Sequence, residues 1–156
     1  MGQTFSRRSF EPAVLWLGAD TEADVLIGSR CPKCLSTFFP PREWCGVCLE
    51  PITKQIELSR EGTLGSFTLV EMNQEYSIVP SPYVVGEVLL PEGIPIYTTI
   101  NLKSELTPEG VKLWSALDND CMKSLRVGQK AKLSPVVIRK EGEDSIVAYN
   151  FDVEVS

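Results

Sequence analysis

Residues 31–48 read Cys31-Pro32-Lys33-Cys34-Leu35-Ser36-Thr37-Phe38-Phe39-Pro40-Pro41-Arg42-Glu43-Trp44-Cys45-Gly46-Val47-Cys48. Two C-x2-C pairs stand ten residues apart, the ligand spacing of a zinc ribbon. Two residues between cysteines let a tight turn aim both sulfurs at one ion, and two such turns complete a tetrahedral four-sulfur shell. A catalytic zinc keeps one position for water or substrate; here none is left, and the chain has no histidine to offer. Cys31, Cys34, Cys45 and Cys48 therefore read as ligands of one structural zinc per chain. Disulfides fit less well, because the first thirty residues show no charged start, long apolar run and small-residue cleavage site. A redox pair fits less well too, since both pairs flank a Phe- and Pro-containing hairpin-like stretch rather than a strand-to-helix junction. The fifth cysteine, Cys121, falls in an expected amphipathic helix and reads as a small core residue.

Composition bounds the remainder. A chain of 156 residues with 43% hydrophobic content has enough apolar surface for one core plus a small metal-stapled module. The formal net charge of −6 repels phosphate backbones, so nucleic-acid affinity would need a local basic patch, and none is evident. No stretch approaches eighteen consecutive apolar residues, so no spanning helix is expected and the reading is cytoplasmic, without membrane. Met1-Gly2-Gln3-Thr4-Phe5-Ser6 fits the myristoylation template, a pattern short enough to recur by chance.

Working outward from the cysteines, three segments are expected: an N-terminal helical arm over 1–30, a zinc ribbon over 31–55 and a β-barrel over 56–156. In the arm, Phe10, Val14, Leu15 and Leu17 share overlapping helical faces, Pro12 suits a first turn and Gly18 ends the element. Val25-Leu26-Ile27-Gly28 reads as a short strand entering the first knuckle. Beyond residue 56 the period becomes two, with strands expected at 63–72, 83–90, 94–102, 130–140 and 144–155. Val147, Tyr149, Phe151, Val153 and Val155 alternate with Ala148, Asn150, Asp152 and Glu154. Turns are expected at Leu90-Pro91-Glu92-Gly93-Ile94 and at Lys140-Glu141-Gly142-Glu143, making two hairpins. Between the third and fourth strands, Thr107 caps and Pro108 opens a helix in which Val111, Trp114, Leu117, Cys121 and Leu125 recur at three- and four-residue steps, with Gly128 closing it. Five strands with a helix between the third and fourth is the layout of an OB-fold; an unrelated antiparallel barrel is the alternative.

Several of these segments resemble the zinc-ribbon/OB-fold family of acyl-CoA-associated proteins. The match is carried by Ile27-Gly28-Ser29-Arg30-Cys31-Pro32-Lys33-Cys34, Phe39-Pro40-Pro41-Arg42, Cys45-Gly46-Val47-Cys48, the run from Pro82 to Gly93, and Arg126-Val127-Gly128-Gln129-Lys130. The resemblance implies a mainly β chain with a rubredoxin-like ribbon ahead of the OB barrel. It also implies a partner: members commonly pair with thiolase-fold enzymes, or with related hydratases and aldolases, that act on acyl-CoA thioesters. Two features depart from the pattern. Leu35 and Leu49 follow the second cysteine of each pair, where ribbon knuckles often place glycine because the backbone tends toward positive φ. The stretch 103–125 is longer than the family's usual link.

The expectation from this resemblance is a non-catalytic subunit of a thiolase-type acyl-CoA complex. It would dock on the catalytic chain through the ribbon and N-terminal helix, while the barrel would help to form or shield the acyl-CoA site. Arg30, Lys33 and Arg42, the cations nearest the ribbon, are candidates for meeting CoA phosphates, each against the plainer reading of a solvated charge. The sequence offers no Ser-His-Asp or Cys-His set, no phosphate-cradling glycine loop and no metalloprotease helix, so an independent enzyme has no visible catalytic set. The alternative from another class is single-strand nucleic-acid binding, with rings from Phe38, Phe39, Trp44, Phe67 and Tyr97; the acidity argues against it.

Overall fold

The computed structural model describes residues 6–18, 23–72, 75, 77, 79–102 and 122–154. The barrel is built from β6 (Glu61–Val70), β7 (Tyr83–Leu89), β8 (Pro95–Asn101), β9 (Lys130–Leu133) and β12 (Asn150–Val153), closed in the order β12-β8-β7-β6-β9. Every neighbouring pair is antiparallel except β8 with β12, which run parallel. Inward positions of these strands carry Leu64, Val84, Val88, Ile96, Ile100, Leu133, Phe151 and Val153, all buried. Period-two alternation brings them to one face, and closure removes the free edges that an open sheet would expose. Both expected hairpin turns form: Gly93 (φ +84°) donates its N–H to the Leu90 carbonyl at 2.9 Å, and Gly142 (φ +62°) opens the turn between β10 and β11.

The expected fourth and fifth strands are each broken in two. β9 ends at Leu133 and β10 (Val136–Glu141) starts after Pro135; β11 (Asp144–Ala148) is separated from β12 by Tyr149. Pro135 has no N–H to continue a ladder, and the Ser134 N–H turns instead to the Asn150 carbonyl at 2.7 Å. β9 and β12 close the barrel, while β10 and β11 leave it as a hairpin joined by β1 (Ser6–Ser9) in a three-stranded sheet, β1 parallel to β11.

The N-terminal helical segment is corrected by these contacts. Where a helix was expected over residues 10–17, the chain makes a single turn, in which the Val14 and Leu15 N–H groups both donate to the Glu11 carbonyl. It then enters β2 (Leu15–Trp16), antiparallel to β3 (Val25–Arg30). Eight residues are too few to sustain a helix in isolation, and the ladders offered by β3 and β11 satisfy the same backbone groups. Arg7 anchors the arm with a forked ion pair to Asp24, at 2.9 and 3.1 Å. The helix expected from Thr107 to Leu125 lies outside the described residues except for its end, where the Leu125 N–H donates to the Met122 carbonyl and Leu125 is buried. Cys121 lies outside them as well.

The ribbon hangs from β3, which pairs with β4 (Thr37–Phe38) and β5 (Gln55–Glu57). Gly28 lies at the centre of β3 because no side chain fits: an added Cβ would stand 2.7 Å from the Phe38 carbonyl oxygen. The ribbon sheet thus draws on residues on both sides of 31 and 55, the limits expected for the ribbon segment.

Candidate metal centre

β3 runs directly into Cys31, so a rigid strand delivers the first knuckle. The two knuckles repeat one geometry. In the first, the Cys31 N–H donates to the Ser36 carbonyl and the Leu35 N–H to the Cys31 carbonyl; in the second, Cys45 bonds Glu50 and Leu49 bonds Cys45 in the same way. Each turn closes on a residue in the left-handed region, Leu35 and Leu49 both at φ 63°. The four Sγ atoms all lie within 4.8 Å of one another, with Cys31 to Cys48 at 3.4 Å and Cys34 to Cys45 at 3.5 Å. A tetrahedron with Zn–S bonds of about 2.3 Å has sulfur separations of about 3.8 Å, so the donor set and its spacing fit zinc. Cys31 and Cys45 are buried against Ile52 and Phe38.

The electrostatics of the metal-free thiols show what the ion has to offset. Cys34 is lowered to about 6, chiefly by the hydroxyl and then the N–H of Ser36. Cys45 is lowered by the Cys48 N–H, with Val47 adding a second backbone donor. For Cys48 the largest single influence, the Glu50 N–H, also lowers it, but burial and its three cysteine neighbours together push it up to about 12. Four thiolates this close cannot all ionise without a cation among them.

The three candidate cations do not share a site; each is engaged locally. Arg30 Nε donates to Thr37 Oγ1 at 3.4 Å, Lys33 Nζ pairs with Glu50 at 3.2 Å, and the Arg42 guanidinium lies over the Phe38 ring at 4.9 Å. Of the rings considered for base stacking, Phe38, Phe39 and Tyr97 line one groove, while Phe67 and Trp44 lie outside it. Phe39 packs on Tyr149, Phe67 packs against the barrel core, and Trp44 (62% exposed) and Tyr97 (69%) lie on the ribbon and the barrel respectively.

The sequence reading missed a cavity of about 390 Å³ between the N-terminal turn and the barrel wall, lined by Phe10, Glu11, Val79, Tyr83, Tyr97 and Tyr149 among others. Burial, and then the Glu11 carboxylate, raise the Tyr149 phenol above its ordinary value. No local pattern could have revealed it, because its walls come from segments far apart in the chain.

Comparison with known proteins gives concordant matches. Residues 23–52 match the family model described as the ChsH2 rubredoxin-like zinc ribbon domain. A DUF35 domain-containing scaffold protein of Methanothermobacter thermautotrophicus is 26% identical over 127 residues, covering 81% of this chain and 83% of that one. The benzoylsuccinyl-CoA thiolase subunit BbsA of Thauera aromatica is 34% identical over 91 residues, covering 58% of this chain and 62% of that one. Among solved structures, one titled Ltp2-ChsH2(DUF35) aldolase shares the fold, with a TM-score of 0.54 at 19% identity over 81% of this chain and 84% of that one. Ribbon, barrel and relatives agree with the resemblance read from the residues: residues 23–52 match the ChsH2 rubredoxin-like zinc ribbon, and the chain is similar to DUF35 domain-containing scaffold proteins.

Proposed function

We propose that this chain is a non-catalytic subunit of a thiolase-type acyl-CoA complex, docking on the catalytic chain through its ribbon and helping to form or shield the acyl-CoA site. The observation that carries the reading is the apolar tip of the ribbon. Leu35, Val47 and Leu49 are 68%, 69% and 76% exposed, with Trp44 on the same module. Both leucines hold the strained left-handed backbone that glycine would relieve, so the side chains are kept at a cost. Aliphatic and aromatic side chains grouped on a small rigid module are what a partner surface covers. The names of two relatives, a thiolase subunit and one half of an aldolase complex, support the class of partner. The chain has no histidine to activate a serine or cysteine, so chemistry is assigned to the partner.

The barrel is read as an OB-fold. Its strands, numbered first to fifth along the chain, close in the order first-second-third-fifth-fourth, which supports a five-stranded Greek-key barrel. Arg30, Lys33 and Arg42 are proposed to turn from their local partners to CoA phosphates when the complex forms. Affinity purification of the tagged chain from its native host, with mass spectrometry of co-eluting proteins and a zinc assay, tests the reading. A stoichiometric thiolase-fold partner with about one zinc per chain is expected. A solitary protein, or one eluting with nucleic acid, overturns it.

A further inference from the structure

Strand β7, the end of β8, the N-terminal turn and the β11–β12 junction enclose the 390 Å³ cavity, at the small end of the roughly 300–1,000 Å³ spanned by ligand pockets. Its floor and walls are apolar: Leu15, Val79, Val85 and Ala148. Rings from Phe10, Tyr83, Tyr97 and Tyr149 complete them. Phe10 is held in place, because its N–H donates to the Val147 carbonyl at 2.7 Å and the Arg139 guanidinium, itself paired with Glu141, stands 5.4 Å from its ring centre. Polar groups are few: hydroxyls from Ser77, Thr98, Thr99 and the tyrosines, and a single charge among the described lining residues, Glu11. Tyr97 and Tyr149 also line a second groove of about 340 Å³, shared with Phe38, Phe39, Pro40 and Ile94, so these two tyrosines stand between the cavity and the ribbon.

The charge pattern selects the ligand. An ion entering an apolar pocket has to shed its water, which is costly unless the pocket replaces it. An anion finds no cation in the described lining and one carboxylate against it; a cation finds Glu11, exposed and screened by solvent, and the ring faces, whose attraction offsets only part of what it loses with its water. A neutral ring loses nothing on entry and gains aromatic contacts on several sides. We infer that this cavity is a binding site for a small, neutral, ring-bearing molecule or group, with a carbonyl on the ring drawing the Tyr149 O–H from the Tyr97 carbonyl that it now meets at 3.3 Å, or a hydroxyl donating to the Tyr149 oxygen. The inference concerns the isolated chain and does not need the assembly reading above; a chain that binds no thiolase-fold partner could still have this site.

The test is a titration of the zinc-loaded full chain, followed by methyl NMR of Val79, Val85 and Ala148, with acetophenone, benzoate and benzylammonium as probes sharing one ring and differing in charge. Expected is saturable perturbation of these methyls by acetophenone, with the benzoate dissociation constant at least about tenfold higher and benzylammonium between them. Ala148→Phe fills the cavity and is expected to abolish acetophenone binding while zinc content stays at the wild-type value. Val85→Phe fills it from the opposite strand and serves should Ala148→Phe fail to fold. Absence of saturable binding to the wild-type chain, benzoate or benzylammonium binding as tightly as acetophenone, or a folded filled variant that binds like wild type would each overturn the inference.

Discussion

Phe39 and Tyr149 meet edge to face, ring centroids 5.8 Å apart and planes at 87°. One ring belongs to the return limb of the ribbon and the other to the break between β11 and β12, so this pair joins metal module to barrel. Aromatic pairs of this geometry contribute about 0.5–1.5 kcal/mol beyond the area they bury. Phe39→Ala is expected to lower stability by about 2 kcal/mol, less than a fully buried Phe because Phe39 is only half-buried. Chemical denaturation checks the figure, and limited proteolysis should show the ribbon cleaved first.

Tyr149 adds a pH dependence with a definite sign. Its phenol is raised by burial and by Glu11, so the neutral form is favoured in the folded chain. The associated stability is complete below the ordinary tyrosine value of about 10 and is lost as pH rises through the folded value. Tyr149→Phe cannot ionise. The difference in unfolding free energy between wild type and Tyr149→Phe should therefore be flat from neutral pH to about 9 and move against wild type above about 10; a difference that stays flat throughout would contradict the assignment.

Zinc removal should unfold the ribbon and leave the barrel folded. The ribbon's own apolar cluster is small, Cys31, Cys45 and Ile52 with Phe38 and Cys48 against it, so ligation supplies most of its folding energy. Because Cys48 in the metal-free set is pushed up to about 12, zinc uptake at pH 7 must displace protons, and calorimetry in buffers of different ionisation enthalpy will detect them. Acidification should weaken zinc binding progressively, because protons compete with the ion for the four sulfurs. Cys45→Ser is expected to bind no zinc at stoichiometric metal.

Replacing Leu35 and Leu49 with glycine separates stability from assembly. Left-handed backbone costs a branched residue about 1–2 kcal/mol, partly offset by the greater freedom of glycine in the unfolded chain. Both side chains are exposed, so little packing is lost. The expected result is a ribbon as stable as wild type or more so, by up to about 1 kcal/mol, with at least about tenfold weaker binding to the catalytic partner. Unchanged binding would leave the leucines without a docking role.

Asn150 is the polar hub of the barrel. Its Oδ1 accepts from Thr99 Oγ1 at 2.8 Å and Asn101 Nδ2 at 3.1 Å, while its Nδ2 donates to the Ser134 carbonyl at 3.3 Å and Asp152 at 3.1 Å. Asn150→Ala removes four bonds, that of the buried Asn101 amide among them, and should cost about 3 kcal/mol, since a buried group that loses its partner costs about 1–3. Thermal and urea unfolding should both report it.

What the residues determined by themselves was local. Cysteine spacing specified the metal and its ligands, because a C-x2-C turn aims two sulfurs without help from the rest of the chain. The strain at Leu35 and Leu49 was legible for the same reason: a knuckle's backbone depends on its own few residues. Alternation of Phe151, Asp152 and Val153 marked the last strand, and glycine marked both hairpin turns. Contacts between distant segments were decided elsewhere. Phe10 to Leu17 carries a helical pattern, yet the edges of β3 and β11 satisfied its backbone first. Pro135 and Tyr149 split two continuous strand patterns because barrel closure needed only the inner halves. The ring-lined cavity has no sequence signature at all, since its walls meet only when the β10–β11 hairpin folds back against the N-terminal turn.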